Sequence, residues 1–446
     1  MIRENIDEKL NYAKKIIKEN NVKYLRLIIT DIHGTPKSVI IRSEEIEDAV
    51  YYGVGFDGSS IPGFARIENS DLIAIPDLST LKIALWEDNR TAVVICDTYT
   101  PEYKLYEGSP RTVLKKVLET VETGGFNVKA GIELEYFIIN KNERLEIKPQ
   151  DNGQYFDSIP LDYGDYIKKI LGDVLLDLNI EFDKMHHEVA PGQHEVSISA
   201  PNPVTLADLV IIIKMAIKAL ARKEGYIATF MPKPFMEVNG SGAHLHLSLQ
   251  RNGRNLFYSG GNEISSLALN FIGGLLRHSK GLSLTVAPLV NSYKRLRPGY
   301  EAPVYICWGY SNRSTLIRVP RPIREKTCRI EYRHPDPSFN PYLGLATVIT
   351  AGIYGVKSKI DPGEPYNLDV YHHKGEFETL PGSLIEAIEE FKKDETVNKC
   401  LGEHVFNKLV EIKMKEWEKY IKDTGSWEES KDKVTKWEIE MYLERA

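Results

Sequence analysis

The chain has 446 residues, 57 Lys and Arg against 63 Asp and Glu, and a formal net charge of −6. At roughly 100–200 residues per domain, that length allows several domains and a large core. The mild acidity argues against a nucleic-acid binder working through a global basic field. With 42% hydrophobic and 27% charged residues, low-complexity disorder and collagen-like repeats are excluded. Cys96, Cys307, Cys328 and Cys400 form no C-x-x-C pair, so reduced thiols are expected rather than a zinc ribbon or a disulfide framework. The polar opening MIRENIDEKLNYAKK does not read as a secretory signal. The most apolar long stretch, 209–221, is interrupted by Lys214 and Lys218 and is shorter than the ~20 apolar residues of a membrane span. A cytoplasmic protein with no membrane and no nucleic-acid partner is expected.

Residues 5–20 place Leu10, Ala13, Ile16 and Ile17 on one helical stripe. A strand over 24–30 follows, then a turn at Asp31-Ile-His-Gly34 and strands near 38–41, 72–75 and 91–96. Ser109 reads as an N-cap and Pro110 as the first residue of a helix that Gly124-Gly125 ends. This divides the chain into a small mixed domain, 1–105, and a large one, 106–446. In the large part, 130–139 reads as a strand and 205–225 as a long helix capped by Thr205, with Asp208 three residues on. Residues 243–249 and 328–333 read as strands, and the chain beyond Pro381 as mostly helical.

Gly53-Val-Gly55-Phe-Asp-Gly58 matches G-x-G-x-x-G. A dinucleotide site needs a strand before it and a helix after it. Here 43–52 reads as helical and Pro62-Gly63 follow, so the site is rejected. No Walker A sequence occurs.

Several strand-like segments carry ionisable residues at i, i+2. They are Glu133 and Glu135, Glu195, His244 and His246, and Arg329, Glu331 and Arg333; Glu188 joins Glu195 through a Pro-Gly turn. Alternate strand residues share a face. An antiparallel sheet with one wet face would alternate in the same way. Such a face favours Lys, Thr and Ser, whereas here Glu recurs with His and Arg. Converging carboxylates repel and raise one another's pKa, a penalty that divalent cations remove. Carboxylate oxygens with one His suit Mg²⁺ or Mn²⁺, and about two or three ions is the natural count for Glu133, Glu135, Glu188, Glu195, His244 and Glu331. A second cluster is basic: Lys294, Arg295, Arg297, Arg313, Arg318, Arg321, Arg324, Lys326, Arg329 and Arg333. Its preference for Arg suits bidentate recognition of phosphate or carboxylate. Cations beside arginines describe a phosphoryl-transfer site.

Asn239-Gly-Ser-Gly-Ala-His-Leu-His, Asn291-Ser-Tyr-Lys-Arg-Leu, Pro298-Gly-Tyr-Glu-Ala-Pro, Phe56-Asp-Gly-Ser-Ser and Arg329-Ile-Glu-Tyr-Arg resemble motifs of type I bacterial and archaeal glutamine synthetases. The resemblance runs from about residue 20 to the C-terminus. It implies an α+β fold: a small β-grasp domain and a catalytic domain whose curved antiparallel sheet carries the metal site between helices. It also implies a homododecamer of two hexameric rings with sites shared between neighbours. The implied reaction joins ammonia to L-glutamate with ATP through γ-glutamyl phosphate. One metal would sit on Glu135, Glu188 and Glu195, the other on Glu133, His244 and Glu331. Asn239, Gly240, Arg295, Glu301, Arg313 and Arg333 would bind glutamate. His246, Ser248, Arg313, Arg318, Lys326 and Arg329 would bind ATP. Asp57 and Ser60 from a neighbour, with Tyr155 and Glu188, would bind ammonium, Asp57 taking its proton. Glu301 would ride a flap that excludes water from the intermediate. Asp57, Glu301, Arg313 and Arg333 are thus the implied catalytic set.

Two features bear on regulation. Tyr371 lies in Asn367-Leu-Asp-Val-Tyr-His-His, unlike the Asn-Leu-Tyr-Asp-Leu-Pro context of adenylylated enzymes. Gly63-Phe-Ala-Arg66-Ile-Glu is similar to the feedback-inhibited subgroup, in which an arginine here senses glutamine. A PII-type regulatory protein is a compatible partner. The competing readings are a γ-glutamyl-polyamine ligase on the same fold, a catalytically inactive relative, and an RNA-binding module built on the arginines.

Overall fold

The computed structural model describes residues 2–141, 146–321, 323–372 and 377–446. Ahead of the helix Pro110–Thr123, six strands form one sheet in the order Pro36–Arg42, Tyr24–Thr30, Thr91–Tyr99, Asp71–Pro76, Val54–Asp57, with Lys82–Ile83 paired to Thr91–Tyr99. Tyr24–Thr30 and Thr91–Tyr99 run parallel, and the other pairs antiparallel. The helix Ile2–Glu19 buries Leu10 and Ala13 in one core with Leu25, Leu27 and Ile29. This is a β-grasp sheet. The segment 53–58 follows the helix Ile46–Tyr51 and opens as the strand Val54–Asp57, the reverse of a dinucleotide-binding loop.

The larger sheet has ten strands. Its main path is Trp308–Tyr310, Ile317–Val319, Ile330–Tyr332, Ala243–Arg251, Asn127–Lys141, Gln193–Ala200, Phe182–His187. All pairs on that path are antiparallel except Trp308–Tyr310 with Ile317–Val319. A bulge between Ser197 and Ile198 interrupts the register with Phe182–His187, a device that bends strands. Apolar residues of the long central strand, among them Ile132, Leu134 and Tyr136, are buried in the main core with the helices Pro203–Lys223, Ser266–Val286 and Pro341–Ser358.

Two sequence expectations need correction. The long helix starts at Pro203 and is capped by Asn202, whose side chain accepts from Thr205 N–H at 2.9 Å. Proline at N1 and asparagine at N-cap outweigh the threonine signal at 205. Asp208 has no capping role either; it is buried and paired with Arg111. The strand expected over 328–333 is shorter, Ile330–Tyr332.

Arg111 holds the two sheets' territories together. Its guanidinium reaches Asp77 at 2.8 Å and Asp97 at 2.5 Å on the β-grasp side, and Asp208 at 2.9 Å on the helix Pro203–Lys223. The turn at 31–34 adds a second junction. Asn340 Nδ2 donates to the carbonyls of Asp31 and Ile32 at 3.0 and 3.2 Å. Gly34 has φ +84°, and a Cβ there would stand 2.9 Å from Asn340 Cα. Only glycine fits that turn at that distance. Among the described residues no helix is long and apolar enough to cross a membrane.

Candidate active site

Strand register assembles the acidic residues. Glu133 lies opposite His244, Glu135 opposite Glu195, Glu195 opposite His186, and Glu331 opposite both His246 and Arg318. The period of two then keeps 133 with 135, 244 with 246 and 331 with 333 on one face. That face floors a cavity of about 250 Å³ lined by Glu133, Glu135, Glu188, Glu195, His244, Asn239, Gly240, Arg295, Glu301, Arg313, Arg333 and Tyr155, among others.

Two three-residue groups bring their donor atoms close enough to share a cation. In the first, His244 Nδ1 is 3.2 Å from Glu133 and 3.9 Å from Glu331. In the second, His186 lies 3.3 Å from Glu195 and 3.6 Å from Glu188. Glu135 stands beside both. Its Oε1 is 3.9 Å from His244 Nε2, and its Oε2 accepts from Gly242 N–H at 2.8 Å and Gln193 Nε2 at 3.1 Å.

The charges are unevenly matched. Burial, with Glu188 and Glu195 nearby, pushes the Glu135 carboxyl well up. Burial and Glu195 push Glu188 up to about 7. Burial acts on Glu133 too, but hydrogen bonds from His244 and His246 outweigh it and hold that carboxyl well below the usual range. Burial and Arg333 lower His244, keeping it the neutral imidazole that metals bind. Glu331 accepts from Arg333 at 2.7 Å and Arg318 at 2.5 Å. Burial pushes it up, but the charges of Arg333, His246 and His244 outweigh that and bring it to about 2. Hard oxygen donors with one imidazole per group, and carboxyls left protonation-prone by their neighbours, are what a divalent cation fits.

The arginine-rich segment does not form one surface. Lys294 is fully buried against Glu438 at 2.5 Å and Tyr420 Oη at 3.0 Å. Arg295 donates to the carbonyls of His334 and Arg333 at 2.8 and 3.1 Å while lining the cavity. Arg297 pairs with Asp432, and Arg321 lies 4.4 Å over the Tyr310 ring. Arg324 and Lys326 are exposed. Burial and separate partners divide these residues. Arg329 donates to His246 Nδ1 at 3.0 Å, and Ser248 follows on the same strand face.

Asp57 and Ser60 are absent from the cavity lining. Asp57 is exposed and accepts from Ser59 N–H at 2.8 Å and from the Ser59 and Ser60 hydroxyls at 2.6 Å, which lower its pKa. Arg66 is exposed, 3.9 Å from Glu68. Tyr371 Oη donates to the Ala302 carbonyl at 2.9 Å, beside the 298–303 loop.

Sequence reasoning missed Lys184, His186 and Gln193. Lys184 is 3.1 Å from Glu195 and 3.9 Å from Glu133. Lys184, His186 and Glu188 continue the same i, i+2 alternation, and extending that search to the strand Phe182–His187 would have found them. A third group, Asp151, His187 and His194, has protein partners for all but His194 Nε2. Asp151 accepts from Gly192, Gly153 and Tyr163 N–H and faces His187, and the Lys168 ammonium stands 3.0 Å from His194.

A sheet face that gathers carboxylates and imidazoles in cation-sized groups beside buried guanidinium groups belongs to the metal-dependent enzymes that handle phosphate. Residues 107–442 match the model of the glutamine synthetase catalytic domain, and residues 21–101 that of the glutamine synthetase β-grasp domain. The chain is 44% identical to a glutamine synthetase of Thermotoga maritima, across 96% of this chain and 98% of that one. It is 43% identical to one of Methanococcus voltae, across 95% and 98%. A solved structure titled GmaS/ADP complex superposes with a TM-score of 0.84 at 30% identity, covering 95% of this chain and 97% of that one. The chain belongs to the glutamine synthetase family and is a ligase of the ATP- and divalent-metal-dependent kind.

Proposed function

We propose that the protein joins ammonia to L-glutamate, converting ATP to ADP and phosphate through γ-glutamyl phosphate. The observation that carries this reading is the convergence of both acidic groups on one cavity whose other walls present Asn239, Gly240, Arg295, Arg313 and Arg333. The reaction needs that combination. A carboxylate is a poor acyl donor, and phosphorylation gives it a leaving group. Glu133, His244 and Glu331 would hold one Mg²⁺ or Mn²⁺, and Glu135, Glu188 and Glu195 the other, with His186 as an added donor. Bound cations would neutralise charge on the nucleotide phosphates.

The chain's own residues do the rest. Arg295 and Arg333 present guanidinium groups to the amino-acid carboxylate, and Asn239 and Gly240 bracket its amino end. Arg313, Arg318, Arg329, His246, Ser248 and Lys326 serve the nucleotide side. Glu301, on the cavity wall, covers the intermediate against water. Asp57 and Ser60 act on ammonium at the cavity of a neighbouring copy, beside Tyr155 and Glu188. Their exposure on the β-grasp side supports this, as does the exposed apolar run Tyr155, Phe156, Ile159, Leu161 and Tyr163 beside the cavity. The corresponding assembly is a homododecamer of two hexameric rings. Arg66, exposed after the Asp57 turn, suits feedback control by glutamine in an enzyme without adenylylation. A PII-type partner and a cytoplasmic location complete the reading.

The γ-glutamyl-polyamine reading differs only in the nucleophile. ADP release with glutamate, in the presence of ammonium, putrescine or neither, tests the proposal. Stimulation by ammonium with glutamine as product is expected. Stimulation by putrescine alone would replace the proposal with the amine-ligase reading.

A further inference from the structure

The 298–303 loop forms one wall of the cavity through Tyr300, Glu301 and Ala302, and residues 239–242 form another. The loop's backbone is not relaxed. Glu301 has φ +55°, in the left-handed region that side chains other than glycine's rarely adopt, and Gly299 before it has φ +90°. Contacts must therefore seat the loop. Arg333 donates to the Glu301 carbonyl at 3.1 Å, and Tyr371 to the Ala302 carbonyl at 2.9 Å. A further contact comes from a residue with no part in the proposed reaction.

Lys233 is fully buried. Its backbone is clamped by Asn291, whose Oδ1 accepts Lys233 N–H at 2.6 Å and whose Nδ2 donates to the Lys233 carbonyl at 3.0 Å. Asn291 is itself tied to Glu438 at 2.8 Å. From this fixed base the ammonium donates to the Val238 carbonyl and lies 3.8 Å from the centre of the Tyr300 ring. Among the described residues no carboxylate lies within ion-pair distance of it. A buried ammonium without an acidic partner is rare. The negative face of an aromatic ring is the attraction left to it.

We infer that Lys233 is a positioning residue whose ammonium clasps the Tyr300 ring and the Val238 carbonyl together, seating the 298–303 loop over the cavity. The clasp sets the loop against the wall that begins at Asn239, whose Nδ2 is 3.5 Å from Glu301 Oε2. Lifting the loop removes the ring from the ammonium, so Lys233 biases the loop toward its seated state. The consequence for chemistry rests on the acyl-phosphate reading above. With the loop unseated, water can take ammonia's place. Its oxygen bonds to the acyl carbon of the γ-carboxyl group, the bond from that carbon to the phosphate oxygen breaks, one water proton passes to the phosphate and the other to solvent, and glutamate and phosphate leave. The net reaction is then ATP hydrolysis.

The test uses Lys233→Met, Tyr300→Leu and the double variant in the full-length protein, with two readouts. Amide exchange at residues 299–302 reports the loop with or without turnover. Both single variants should exchange there about tenfold faster, the scale of a desolvated cation–ring contact. The double variant should be no faster than the worse single one, because both changes remove one contact. ADP released per glutamine formed should rise in the same variants. Unchanged loop exchange, or acceleration spread evenly over the chain, would overturn the clasp. So would fully additive effects of the two changes. If Lys233→Met does not fold, Tyr300→Leu decides alone, since its side chain lies on the loop rather than in the core. If the loop responds but the wild-type protein makes no glutamine, the clasp stands and the ammonia-ligase reading fails.

Discussion

The Arg111 junction and the carboxylate cavity are both made of buried and half-buried acidic side chains, but their carboxylates are matched differently. At the junction, Asp77, Asp97 and Asp208 each reach Arg111 within 2.9 Å, and Lys115 adds 2.6 Å to Asp97. In the cavity two arginines converge on Glu331, while Glu135 and Glu188 have no Lys or Arg nitrogen at ion-pair distance among the described residues. Buried charge that is internally paired acts as structure. Buried charge left facing its own sign is a seat for a cation supplied from outside.

The largest effect separating the two should come from single deletions. Glu331→Ala removes a cation donor and leaves Arg318 and Arg333 facing each other. Activity should fall by at least about 100-fold, with folding retained by circular dichroism. Arg111→Ala should do the opposite: it should cost about 3–5 kcal/mol of unfolding free energy by leaving the buried Asp208 without a cation and Asp77 and Asp97 with Lys115 alone, with kcat per folded molecule little changed. Denaturant titration beside the ADP assay separates these outcomes. A stable, inactive Arg111→Ala protein would break the comparison.

The two clusters should also respond to pH with opposite sign. Burial raises Asp77, but Arg111 outweighs it and holds the carboxyl at about 2, below its usual 3.8. That contribution is present above pH 3.8 and is lost as pH falls toward 2. Glu188 lies at about 7, above its usual 4.5. Its contribution is present below pH 4.5 and is lost as pH rises through 7 in metal-free protein. Thermal midpoints across both windows should show these slopes, Glu188→Gln flattening only the upper one and Asp77→Asn only the lower. A smaller change calibrates both. Asn202→Ala touches neither cluster and should cost about 1 kcal/mol through loss of its cap.

Much of the cavity was legible in the sequence because sheets translate an i, i+2 pattern directly into a shared face. Glu133, Glu135, His244, Glu195 and Glu331 needed only that period, and the register then set them side by side. Lys184 and His186 escaped notice because their strand lacks the apolar alternate positions that mark its neighbours. The helix Pro341–Ser358 was hidden for a different reason. It is buried almost all round, so no stripe stands out. Its neighbour instead meets it through glycines. A Cβ on Gly274 would stand 2.2 Å from the Ala351 carbonyl oxygen, and one on Gly355 2.2 Å from that of Asn270. The Arg111 junction was equally invisible, since its aspartates come from separated segments that no local period connects. The division of the basic segment was hidden for the same reason: nearness in sequence said nothing of Lys294 turning into the core toward Glu438.

The most direct measurement is titration of metal-free protein with Mg²⁺ or Mn²⁺ near pH 7.5, followed by calorimetry and by thermal midpoint. The account predicts at least two bound ions per chain, and stabilisation by about 2.7 kcal/mol per site at a hundredfold excess over Kd. Glu135→Gln and Glu331→Ala should each lose at least one ion, while Asp77→Asn should keep them all. No heat and no shift in midpoint, or the same binding in Glu135→Gln and Glu331→Ala as in the wild-type protein, would contradict the claim that this cavity is built around cations.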